Sequence, residues 1–93
     1  MQQAESTLQF EDDAIRITRW AFPPGSETGW HRHAYPYAVV PLVGGELTVA
    51  DTDGERKYPI VSGESYARPA GVEHNIINNT ASEIVFVELE MKR

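Results

Sequence analysis

Gly25-Ser-Glu-Thr-Gly-Trp-His31-Arg-His33 and Gly63-Glu-Ser-Tyr-Ala-Arg-Pro69-Ala-Gly71-Val-Glu-His74 hold all three histidines of a 93-residue chain. Side chains alternate faces along an extended backbone, so His31 and His33 project to the same side and can close on one ion. His74, just beyond the Pro69-Ala70-Gly71 turn, then has to come from a neighbouring strand. Three imidazoles gathered in this way are what a three-nitrogen metal site needs, although a single histidine is more often a surface or hydrogen-bonded residue.

The flanking sequence reads as short strands separated by turns. From Ala14 to Phe22, Ile15 and Ile17 share one face and Trp20 and Phe22 the other. That change of face predicts a bulge, or a strand covered on both sides by a second subunit. Pro23-Pro24-Gly25 breaks the strand. Tyr37 to Val43 is a nearly continuous apolar run, short enough for a buried strand. After Gly44-Gly45 the alternation places Leu47 and Val49 inward. Asp53-Gly54 predicts a hairpin with a type I′ turn, and Pro59 in the return run predicts an edge strand.

His74, Ile76 and Asn78 share a face of the next strand, and Asn78-Asn79-Thr80 reads as a polar turn. In the last element, Glu83 to Met91, the residues Val85, Val87, Leu89 and Met91 lie on one side. Ile84 and Phe86 begin the other side, which Glu88 and Glu90 are expected to carry into solvent. Residues 1–13 are polar and acidic, a lead-in with at most a short edge strand around Leu8 to Phe10. Seven or eight short strands and no helical periodicity predict one all-β domain over 1–93, with its barrel at residues 14–91.

Composition narrows the partners. The net charge is −6 with only eight Lys and Arg, scattered along the chain. No basic stripe is available for nucleic acid or an anionic membrane. There is no cysteine, so a metal must be held by nitrogen and oxygen. No window approaches the roughly 18 apolar residues of a membrane span. Met1-Gln-Gln-Ala-Glu-Ser lacks the basic start and apolar run of a signal peptide, so a cytoplasmic location is expected. A core this small predicts help from a homodimer or a bound metal.

The two opening stretches resemble the motifs of the cupins. The first cupin motif is Gly, five residues, His-x-His, three or four residues, Glu, six residues, Gly. Gly25, His31, His33 and Gly44 fall on it. The second is Gly, five residues, Pro-x-Gly, two residues, His, three residues, Asn, and Gly63, Pro69, Gly71, His74 and Asn78 complete it. The resemblance implies a small antiparallel jelly-roll β-barrel with a divalent transition metal, Fe, Ni, Mn or Zn, on His31, His33 and His74. Among small stand-alone cupins, Thr28 to His33 followed by Val39 to Leu42 is most similar to the group tied to β-alanine degradation.

The sequence departs from the pattern at one ligand, because Tyr37 stands where the family has its glutamate. A phenol there removes a negative charge and leaves a coordination position for water or substrate. Tyr37 is open to three roles: distant ligand, donor to a substrate, or space-filling barrel residue. Trp30, Tyr35, Tyr37 and Tyr66 are expected to form an aromatic mouth, with Arg68 available to a substrate carboxylate. The resemblance implies a metal-dependent enzyme, dioxygenase-, isomerase- or hydrolase-like, on a small organic metabolite; the alternative is a non-catalytic binding or sensory barrel.

Overall fold

The computed structural model describes residues 1–93. The chain forms eleven strands and no helix: β1 Gln2–Gln3, β2 Glu5–Glu11, β3 Ile15–Phe22, β4 Ser26–Glu27, β5 His31–Arg32, β6 Tyr37–Val43, β7 Gly45–Asp51, β8 Gly54–Ile60, β9 Tyr66–Arg68, β10 Glu73–Asn78 and β11 Ile84–Met91. The count exceeds the seven or eight expected because β1, β4 and β5 are pieces of two residues, too short to leave a periodic signal. The lead-in also holds more order than expected, since β2 pairs along β3.

Two sheets make the jelly roll. One runs β1-β4-β10-β7-β8, with β5 also pairing with β10, and the other runs β2-β3-β11-β6-β9. The hydrogen bonding leaves two separate facing sheets, the arrangement of the expected jelly roll. Phe22, Leu47, Ile84 and Phe86 meet between them and are almost wholly buried. Asn78 ties the two layers together: its Nδ2 donates to the carbonyls of Phe22 and Ser82, both at 2.8 Å, while its Oδ1 accepts from the Thr80 hydroxyl at 2.7 Å. A buried amide with this many partners fixes the turn after β10.

Several local expectations change. The bulge lies in β2, between Leu8 and Phe10, rather than in β3. The β7–β8 hairpin forms and β8 is an edge strand, but only Gly54 (φ 112°) has a positive φ there. Asp53 does not, so the turn is not type I′. β6 is buried on alternate residues, with Tyr37 and Val39 inward and Leu42 46% exposed. Glu88 and Glu90 do not run into solvent. They continue the inward row of Ile84 and Phe86, and Glu90 is only 9% exposed.

Glu90 stays inside because Arg16, opposite it on β3, meets its carboxylate with two N–H groups at 2.8 Å. That bidentate pair satisfies both charges.

Candidate metal centre

β5 pairs antiparallel with the start of β10, which sets His31 opposite His74. His33 follows directly. Its N–H donates to the Val72 carbonyl at 2.9 Å and its carbonyl accepts from the Gly71 N–H at 2.8 Å. Gly71 sits at φ 94°, where a side chain would be strained, so this turn needs glycine. The two motif stretches are thereby hydrogen-bonded to each other, and all three imidazoles converge.

Nε2 of His33 lies 3.1 Å from Nε2 of His31 and 3.2 Å from Nε2 of His74. The three donor atoms are within 4.8 Å of one another. An ion held by imidazole nitrogens at about 2.1 Å sets neighbouring donors roughly 3.0 to 3.4 Å apart, between right-angled and tetrahedral coordination. The His31–His33 and His33–His74 separations fall in that range, so each of these pairs suits a shared transition-metal ion, and a small inward turn of the His31 and His74 rings would bring the third pair to it.

The surrounding residues fix which nitrogen faces inward. His31 Nδ1 is 2.9 Å from the Gly29 carbonyl, which can only accept, so the proton sits on Nδ1 and Nε2 keeps its lone pair. The Thr28 hydroxyl lies 3.2 Å from the same Nδ1. Asn75 braces this loop by accepting from the Gly29 N–H at 2.9 Å and donating to Glu27 at 2.8 Å. Burial first, and then the neighbouring His31, pushes His33 and His74 down to about 4. At neutral pH both rings are uncharged, the form that binds metal.

The histidines open on a small inner cavity of about 70 Å³, walled by Trp20, Val39, Leu47 and Phe86. Tyr37, Tyr66, His74 and Ile76 line both this cavity and a wider cleft of about 400 Å³ that leads outward. Arg68 stands in the cleft. Its guanidinium donates to the Tyr58 hydroxyl and lies 5.2 Å and 4.9 Å from the ring centres of Tyr58 and Tyr66. Stacked in this way, the Arg68 side chain has little freedom to move.

The structure gathers Tyr37, Tyr66 and Arg68 with the three histidines. Trp30 is 54% exposed and, like Tyr35, lines neither cavity. The aromatic mouth therefore consists of Tyr58, Tyr66 and Tyr37 rather than Trp30 and Tyr35. Tyr37 is 3% exposed and its ring stacks on His33 with centroids 3.8 Å apart. Burial raises its hydroxyl to about 12, so it is a neutral phenol at any ordinary pH.

Sequence reasoning missed Glu88, which lines the inner cavity together with all three histidines. Its signal was its phase with Ile84 and Phe86.

Two facing sheets, antiparallel except where β1 meets β4, with a histidine cluster between a His-x-His strand and a Pro-x-Gly turn define a cupin. The Cupin domain model matches residues 18–90, and the chain belongs to that family. It is similar to the Pseudomonas aeruginosa protein named beta-alanine degradation protein BauB, with 50% identity over 90 residues, 97% of this chain and 95% of the relative. The crystal structure of a cupin domain from Bordetella pertussis Tohama I matches with a TM-score of 0.96 and 46% identity, over 99% of this chain and 96% of that one. A cupin superfamily protein from Desulfitobacterium hafniense DCB-2 shares the fold, with a TM-score of 0.76 and 18% identity over 98% and 79% of the two chains.

Proposed function

We propose that this protein is a metal-dependent cupin enzyme acting on a small organic carboxylate, with the ion on His31, His33 and His74. The observation that carries the proposal is the convergence of three Nε2 atoms, two of the separations being 3.1 and 3.2 Å, at the inner end of a cleft. Bound there, a divalent ion supplies Lewis acidity, polarising an oxygen or activating water or dioxygen.

The chain's own residues supply the rest. Trp20, Val39, Leu47 and Phe86 keep the inner cavity apolar and limit its water. Two cations line the cleft, and since Arg56 is paired with Asp51, Arg68, braced by Tyr58 and Tyr66, is the one free to hold a carboxylate. A cavity of about 70 Å³ admits only a short part of a molecule beside the histidines. The substrate is therefore small, with its charged end in the cleft and its reacting end inside. The name of the Pseudomonas aeruginosa relative favours a short carboxylate of the β-alanine kind.

Metal analysis of the native protein beside a His31→Ala, His33→Ala variant tests the reading. Near-stoichiometric iron, nickel, manganese or zinc that disappears in the variant supports it. A metal-free native protein that still binds short carboxylates is a non-catalytic binding module instead.

A further inference from the structure

We infer that Glu88 supplies the carboxylate that position 37 lacks, completing the three-histidine centre from the neighbouring strand. This rests on the three-histidine reading above and goes beyond it, because it names a fourth protein group on a strand outside both motifs.

The strand register makes the relocation possible. On the paired strands β6 and β11, Tyr37 lies opposite Glu90 and Val39 lies opposite Glu88. Glu88 is thus the diagonal neighbour of Tyr37 on the same inward face, a spacing that a long side chain spans. Tyr37 has its ring flat against His33, while Glu88 reaches the cavity that the three histidines line. Among the residues lining that cavity, Glu88 is the sole acid.

Glu88 also lacks the compensation that a carboxylate in such a place needs. It enters none of the protein's ion pairs. Arg16, the cation on the adjacent strand, is held by both oxygens of Glu90. Burial, and then the nearby Glu90, raises the Glu88 carboxyl to about 7. A divalent cation held by the three imidazoles would give this carboxylate the counter-charge that the fold does not supply. The same carboxylate would offset part of the charge the ion brings.

Titration of the metal-free full-length protein with Co²⁺, followed by visible absorption and calorimetry, tests the inference on wild type, Glu88→Gln and Glu88→Asp. Glu88→Gln is expected to bind Co²⁺ roughly tenfold more weakly or worse and to show an altered visible band. Glu88→Asp, which keeps the charge on a shorter arm, is expected to fall between the two, and it carries the comparison if the glutamine variant does not fold. Wild type that binds Co²⁺ with the same affinity and spectrum as both variants overturns the role of Glu88 alone. Wild type that binds no Co²⁺ overturns the three-histidine reading, and this inference with it.

Discussion

Tyr37 and His33 lie ring on ring, their centroids 3.8 Å apart and their planes 18° apart. The residue that replaces the family's glutamate therefore acts on the centre through packing. It holds the His33 ring from the side.

Removing the hydroxyl while keeping the ring should leave the metal in place. Tyr37→Phe is expected to bind Co²⁺ within about twofold of wild type. Tyr37→Ala should lose about 3 kcal/mol of stability through the cavity it opens, and should weaken metal binding because His33 is no longer braced. Denaturant unfolding and Co²⁺ titration of the two variants check this. A large loss of affinity in Tyr37→Phe would show that the hydroxyl takes part in coordination.

The elevated Glu88 carboxyl makes the stability of the metal-free protein depend on pH. Its folded value of about 7 lies above the ordinary 4.5, so the folded protein holds this proton more tightly than the unfolded chain. The resulting contribution is complete below about pH 4.5 and is lost as pH rises through 7. Glu88→Gln, which cannot ionise, should therefore gain on wild type between pH 5 and pH 8. Urea midpoints of both proteins at the two pH values read the difference, and parallel pH dependence would contradict it.

Arg16 and Glu90 form a two-pronged pair at 2.8 Å with the carboxylate largely out of water. Glu90→Ala leaves the guanidinium with only Glu11, at 3.4 Å. We expect a loss of about 1–3 kcal/mol in urea unfolding. Arg16→Lys should lose a large part of the same energy, since an ammonium cannot meet both oxygens in one plane. A Glu90→Ala variant as stable as wild type would mean that the pair contributes nothing net.

The histidine cluster was legible in the sequence because its spacing is rigid. Gly71, Pro69 and His74 must keep their intervals for the turn to hydrogen-bond to His33, so the pattern survives in one dimension. Glu88 and Glu90 were not legible, although strand parity put them in phase with Ile84 and Phe86. Polarity argued for solvent, and only the cross-strand position of Arg16 and the cavity beside the histidines reverse that argument. The misplacement of Trp30 has a similar origin. Its position beside His31 in sequence says nothing about direction, and neighbouring residues of an extended chain point opposite ways.

The outer face of the five-stranded sheet carries the last expectation, a homodimer. Register places Ile17, Leu89 and Ala38 in one outward row, with Arg19, Val87 and Val40 beside it and Ile15 next to Met91. Phe10, opposite Ile17, is 49% exposed, and Leu42 is 46% exposed. An apolar sheet face of this extent is unusual for an isolated chain, and a second copy meeting it about a twofold axis covers the same residues on both partners. Leu89→Lys sets a charge at the centre of that face, where its stem can lie along the sheet and its ammonium can reach water. The variant is expected to sediment as a folded monomer where wild type sediments as a dimer. Its metal content should not change, because the inward row of β11 is untouched. A wild type that is monomeric at micromolar concentration would refute the dimer and leave this face without a partner of its own kind.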